Sequence, residues 1–280
     1  MEKPTLPLID CRPVAAYCLG HIADASSIPA DEMAQRMHEL PKTTQPIALC
    51  GDATSLCVAS EFLTRKGYQV VAQTEWTPRL MEALQTQGRL AMGMNSPSLW
   101  QPAPLLERFV TEIVPAHAII PGKGLDIGCG SGRDMVYLAI HGWEMTGIDY
   151  LEGALQRAEA LASRQQVSIR TECRDLETGD DPFADHADAS IDLICVARYL
   201  HRPLFAWMKR LLKPGGIVIY QTFMQGCEQT AIGRPRKPAF LLRPGELAQQ
   251  FAGAEILLDA VEMLDDGRPV SAFVCRWYGS

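Results

Sequence analysis

Leu125-Asp126-Ile127-Gly128-Cys129-Gly130-Ser131-Gly132 decides how this chain is read, together with Asp149, which lies seventeen positions beyond the last glycine and closes a short apolar run. The pairing spells a strand, a turn free of side chains, a helix start and a second strand ending in a carboxylate. Without a Cβ at the glycines, a ligand can lie directly against the turn. A carboxylate at the tip of the next strand is placed to accept from both hydroxyls of a ribose.

The glycine spacing narrows the ligand. A dinucleotide fingerprint starting at Gly128 needs glycine at position 133, which is Arg133. No Gly-Lys-Ser/Thr follows, which excludes a P-loop. Asp126, two residues ahead of the first glycine, suits a cationic amino-acid end and would repel a pyrophosphate. From residue 118 the pattern alternates as in a doubly wound parallel sheet. Strands are expected at 124–128, 144–149, 167–173, 191–196 and 216–223. Helices are expected near 132–141, 152–164, 203–212 and 244–251, and strands 254–261 and 271–278 form a closing hairpin around Asp266-Gly267.

These motifs, in this order, resemble the class I S-adenosyl-L-methionine (SAM)-dependent methyltransferases over residues ~100–280. The resemblance implies a Rossmann-like seven-stranded domain that binds SAM and releases S-adenosyl-L-homocysteine (SAH). Carried over by position, Gly128, Cys129, Gly130 and Gly132 would cradle the methionine portion and ribose. Asp126 would face the amino-acid end, and Asp149, followed by Tyr150, would hold the ribose. Asp175 and the Leu176 backbone N–H would meet the adenine, with a plain turn as the other reading of Asp175. Val196-Ala197-Arg198-Tyr199-Leu200-His201 would border the methyl group: Arg198 to attract an anionic acceptor, Tyr199 as a wall, His201 to take a proton or merely to cap the next helix. Gly233 to Leu247 resembles the branch that includes tellurite-resistance methyltransferases. The turn Leu264–Arg268 lacks a histidine usual in that branch. The long connection Phe223–Pro238 is where acceptor specificity is expected.

Leu8-Ile9-Asp10-Cys11-Arg12, Gly20-His21-Ile22 and a strand running into Cys50 resemble a single rhodanese domain over residues ~4–87. The resemblance makes Cys50 the nucleophile position, followed by a loop Gly51–Ser55 whose N–H groups would surround the sulfur. Ser55 stands where the family often has arginine, Asp52 adds a carboxylate near the sulfur, and Thr74-Glu75-Trp76 replaces a glycine pair. The expected organisation is α/β throughout: a rhodanese-like domain at 1–90, a proline-rich linker at 91–104 and a methyltransferase domain at 105–280.

The 280 residues carry 26 basic against 33 acidic side chains, a net charge of −7, so no global attraction to nucleic acid is expected. No apolar run is long enough to span a bilayer. Nine cysteines without a C-x-x-C pair argue against a zinc site or a disulfide framework, and a cytoplasmic setting follows. Neither a metal nor a nucleic-acid partner is expected. The leading expectation is methyl transfer to a small molecule, a thiol or chalcogen compound being attractive. The alternatives are a bifunctional enzyme using a Cys50 persulfide and a non-catalytic SAM-binding sensor.

Overall fold

A computed structural model describes residues 6–279. The chain divides into two compact units between residues 101 and 102. The first contains β1 (Leu8–Asp10), α1 (Val14–Leu19), β2 (His21–Ile22), β3 (Ser26–Ser27), β4 (Ile47–Gly51), α2 (Ala53–Arg65), β5 (Val70–Glu75), α3 (Pro78–Thr86) and β6 (Leu90–Ala91). Its sheet runs β3-β1-β4-β5 with every pair parallel. The apolar strand β4 lies in its interior, buried along its whole length, as a strand flanked on both sides should be.

Local chemistry sets the helix ends. Asp52 caps α2 by accepting from the Ser55 N–H at 2.9 Å, and Thr77 caps α3 with Pro78 at its first position. Gly67, at φ +85°, takes the left-handed turn that ends α2. Strands β2, β3 and β6 have two residues each, too short to leave an alternation in the sequence.

The proline-rich seam is docked rather than free. Leu90–Ala91 pair antiparallel with β2. Beyond them the Gly93 N–H donates to the Cys18 carbonyl at 2.9 Å, and the Tyr17 hydroxyl donates to Asn95 O at 2.7 Å. Ser26 Oγ reaches Pro97 O at 2.7 Å, and Ser96 Oγ accepts from the Ser27 N–H at 2.9 Å. Residues 91–101, which composition marks as linker, therefore complete the first unit, while Pro104 already begins a helix.

The second unit opens with α4 (Pro104–Arg108), which passes through a π-helical stretch (Phe109–Ile113) into α5 (Val114–Ala116). It continues with β7 (Lys123–Ile127), α6 (Arg133–Ile140), β8 (Glu144–Asp149), α7 (Glu152–Arg164), β9 (Arg170–Cys173), β10 (Ile191–Ala197), α8 (Leu204–Leu211), β11 (Leu212–Gln221), α9 (Glu246–Gln250), β12 (Glu255–Met263) and β13 (Pro269–Trp277). The seven-stranded sheet is ordered β12-β13-β11-β10-β7-β8-β9, with β13 antiparallel to both neighbours. The chain reverses direction across the sheet between β7 and β10, the switch point at which open α/β sheets bind ligands.

Strand β9 starts three residues later than the sequence suggests, because the Val167 N–H returns to the Ala162 carbonyl and finishes α7 instead. Lys213–Gly216, most of which precedes the strand expected at 216–223, lies inside β11 at a register shift opposite Ile191/Leu193. One core cluster includes Leu125, Ile148, Ile194, Phe205, Tyr220, Phe251 and Phe273, all at most 3% exposed. Phe251 lies about 6 Å from Phe205, Phe273 and Trp277, anchoring α9 to the sheet.

Candidate functional site

The turn after β7 is built by its backbone. Gly128 and Cys129 both donate to the Ile148 carbonyl, at 2.9 and 3.1 Å, which ties the turn to β8. Gly128, Gly130 and Gly132 all have positive φ (+74°, +54° and +75°), where a side chain is strained. Their missing side chains serve three different purposes. A Cβ on Gly128 would come within 3.1–3.2 Å of the Tyr199 side chain. One on Gly132 would sit 2.5 Å from the Ala158 Cβ of α7, so this glycine allows two helices to close. One on Gly130 meets nothing within 4 Å; this is the face open to a ligand. Gly147 in β8, not singled out by sequence, leaves room for Met135 and Cys129 Sγ beneath the turn. Cys129 thus points its thiol inward, where burial and Asp126 hold its pKa up, and offers only its backbone to the turn.

Asp149 braces this structure. Its Oδ2 accepts from the Gly130 N–H and its Oδ1 from the Leu151 N–H, both at 2.9 Å. Each oxygen keeps a lone pair for a further donor. Tyr150 beside it is 67% exposed. Asp175 sits past the end of β9 and folds its own turn, accepting from the Glu177 N–H at 2.9 Å; Leu176 is buried in the core. Glu177, which sequence reasoning missed, accepts from the Tyr199 hydroxyl at 3.4 Å.

Asp126 is the informative oddity. It is 1% exposed, and its Oδ2 has no hydrogen-bond partner. Burial first, and nearby Asp134 second, push its carboxyl well above the usual range. An orphaned buried oxygen beside a bare turn fits a ligand with a cationic end, which would restore its charge. These residues fit SAM: a cradle at Gly130, ribose acceptors at Asp149 and an acid for the ammonium group.

At the end of β10, Val196 is buried in register with Tyr220, and the chain then leaves the sheet at Arg198, a non-glycine residue at φ +60°. Its N–H donates to the Gln221 carbonyl at 2.7 Å, which holds the strained turn. Tyr199 turns toward Gly128 and Glu177. Burial and Glu177 raise its pKa, so it is a wall and not a base near neutral pH. The His201 imidazole is half-buried and has no hydrogen-bond partner among the described residues, and α8 has no side-chain cap. Nothing there fixes its tautomer.

Arg202, also missed, organises the opposite side. Its Nε meets Glu246 Oε1 at 2.6 Å and its Nη2 meets Oε2 at 3.0 Å, while it also donates to the carbonyls of Ala239 and Leu241. Glu246 is 2% exposed and further accepts from the Arg243 N–H at 2.9 Å. Against the cost of its burial, these donors bring the Glu246 carboxyl down to about 2. The stretch Ala239–Glu246, which follows the connection expected to carry acceptor specificity, is thereby strapped to the segment between β10 and α8.

Among the described residues, one group of potential metal ligands comes together, Glu172, Asp185 and His186. Arg174 already occupies it, donating to Glu172 at 2.9 Å and to Asp185 at 2.7 and 2.8 Å.

In the first unit, Cys50 has no exposed surface and packs in a cluster with Tyr17, Ile22, Ala25 and Leu84, against which Trp76 and Leu80 lie. Burial first, and Asp10 second, push its thiol up to about 12. The expected loop after it is short: Gly51 still belongs to β4, Asp52 is the cap, and Ala53–Ser55 form the first turn of α2. Asp52 is engaged by the Ser55 N–H and hydroxyl, so the carboxylate acting on Cys50 is Asp10, not Asp52. Arg12 is bound to Asp10 through Nε at 3.0 Å and Nη2 at 2.5 Å, reaches Gly20 O at 2.8 Å and stacks 3.7 Å from the Trp76 ring centre. Trp76, in place of the expected glycine pair, thus covers this corner. Native protein treated with a maleimide is expected to label at the exposed Cys57 and Cys173 and to leave Cys50 unmodified; mass spectrometry of the digest reads this directly.

An open, switch-point sheet with a glycine turn and a strand-end acid defines a nucleoside-binding domain of the class I methyltransferase type. The methyltransferase domain family matches residues 125–216, and the rhodanese-like domain family matches residues 1–73. The chain thus carries a class I methyltransferase domain preceded by a rhodanese-like domain. It is 22% identical over 317 residues to an uncharacterized Schizosaccharomyces pombe protein, UNK4.09, covering 96% of this chain and 92% of that one. A ubiquinone biosynthesis O-methyltransferase of Idiomarina loihiensis is 31% identical over 118 residues, 40% of this chain and 46% of the relative. The chain thus spans about half the length of that enzyme. TehB from Haemophilus influenzae superposes with a TM-score of 0.48 at 21% identity, over 60% of this chain and 61% of that one.

Proposed function

We propose that the protein is a SAM-dependent methyltransferase acting on a small molecule. The observation that carries this reading is the turn at Gly130, open to a ligand, whose N–H is bonded to Asp149 while the buried Asp126 keeps an unpartnered oxygen. Bound there, SAM supplies a methyl group already activated on a sulfonium. The protein's part is to hold the nucleoside, to keep the acceptor in line and to keep water away. Asp149 takes the ribose hydroxyls, Asp126 the ammonium end, and the Tyr199 ring closes the wall beside Gly128. Among the described residues that follow β10, neither Tyr199 nor His201 is held as a base, which suits an acceptor that arrives ionised.

Calorimetric titration with SAH tests the reading, with saturable binding expected. Asp149→Ala should weaken it by about 1–3 kcal/mol, the scale of losing hydrogen bonds to a charged group; an unchanged affinity removes Asp149 from the ribose. The rhodanese-like unit is read as a structural domain, because its sulfur is sealed in apolar contacts and its thiol stays protonated. Thiosulfate:cyanide turnover that vanishes in Cys50→Ala would reverse this and favour the bifunctional alternative. The setting is read as cytoplasmic; no helix among the described residues is long and apolar enough to cross a membrane.

A further inference from the structure

The strand ends facing the candidate site change sign across the sheet. At one side stand Asp149, which closes β8, and Asp175 and Glu177, which follow β9. At the other side, Arg133 follows the glycine turn of β7, Arg198 follows β10, and Arg268 ends the turn before β13. Strand order places these last positions next to one another, since β13 adjoins β11, β11 adjoins β10, and β10 adjoins β7. A bridge between Phe223 and Val270 brings the β12–β13 turn to the end of β11, where Arg268 stacks 4.6 Å from the Phe223 ring centre. Arg268 also donates to Arg234 O at 3.3 Å, within the long connection after β11.

The three guanidiniums differ in how they are satisfied. Arg268 is paired with Asp266 at 2.7 Å. Arg133 and Arg198 have no side-chain hydrogen bond or ion pair among the described residues. Asp134, the nearest acid in sequence, accepts from the Ala103 N–H at 2.7 Å and feels both arginines, yet burial outweighs them and raises its pKa. Arg198 is held out from the strand end by a strained backbone, and its guanidinium is pulled down by burial first and then by Arg133 and Arg268, against the opposing pull of Asp134 and Asp266. A strained residue whose guanidinium makes no hydrogen bond, beside two further arginines, is suited to take an anion.

We propose that the acceptor is a small anion, held by Arg198 with Arg133 and Arg268 as its positive walls. This rests on the methyltransferase reading and gives its substrate class: carboxylates and other oxyanions or thiolates, against neutral molecules of the same shape. The anion and the sulfonium attract one another, while the acids beyond β8 and β9 keep the anion from the nucleoside side.

The test is a set of calorimetric titrations at low ionic strength, with and without saturating SAH, using two isosteric pairs: acetate with acetamide and benzoate with benzamide. At least one anion should bind about tenfold or more tightly than its amide, and Arg198→Gln should erase the difference while leaving SAH affinity within about twofold. Arg198→Gly separates charge from folding. Glycine accepts the φ of +60°, so thermal stability should hold or rise while anion binding is lost. Equal binding of anion and amide in both pairs, or anion binding untouched by both substitutions, overturns the proposal. Failure of SAH itself to bind strikes the cofactor reading instead, since the titrations without SAH still report on the anion.

Discussion

Gly130→Ala should abolish SAH binding in a protein that still folds, whereas Gly132→Ala should damage the fold itself. The two glycines are two residues apart and share a positive φ, so both variants carry the cost of a side chain in the left-handed region, about 1–2 kcal/mol. What differs is where the methyl group goes. At 130 it enters open space, the volume that a ligand lying on the turn would need. At 132 it lands 2.5 Å from the Ala158 Cβ and 3.1 Å from its Cα, so α6 and α7 must separate. Overpacking of that kind costs a further ~1–3 kcal/mol. Urea titration of both variants beside SAH calorimetry distinguishes them. Equal losses of stability with equal losses of binding would mean that the turn has one role and not two.

The second large effect is expected at Arg202. Arg202→Ala leaves the buried Glu246 carboxylate without its bidentate partner and frees the Ala239 and Leu241 carbonyls. Breaking a buried pair from one side typically costs about 3–5 kcal/mol. The pH dependence has a definite sign. Glu246 falls from an ordinary 4.5 to about 2 on folding, so its contribution is complete above pH 4.5 and is lost as pH falls toward 2. That shift is worth on the order of 3 kcal/mol. Wild type should therefore lose stability between pH 4.5 and 2 more steeply than Glu246→Gln does. In Arg202→Ala, trypsin should cut the bond after Arg236 faster, because residues 239–241 are no longer strapped down. A variant that keeps wild-type stability and wild-type cleavage would show that the clamp is only a surface contact.

The sequence made the backbone of the site legible where a residue type has one physical reason to be there. Three glycines in five positions can only be a turn that needs left-handed conformations, and a carboxylate after an apolar run marks a strand tip. The alternating elements of the second unit were legible for the same reason, through hydrophobic period. What was not legible depends on distant partners. That Gly132 serves helix packing follows from Ala158, twenty-six positions later. Arg202 looks like any surface arginine until Glu246 is brought beneath it. Around Cys50 the local string resembles an active loop, but Trp76 and Leu84 arrive from elsewhere and seal the sulfur. Composition also does not distinguish a proline-rich segment that hangs free from one that is laid along a sheet.

That last ambiguity has a practical edge. Severing the chain after residue 90 would strip the first unit of the Asn95 and Pro97 carbonyls that Tyr17 and Ser26 meet and of Ala91 in the strand paired with β2, leaving an unpaired edge open to aggregation. A cut after Gln101 keeps those tethers in place, so the shorter excision is the one that should precipitate.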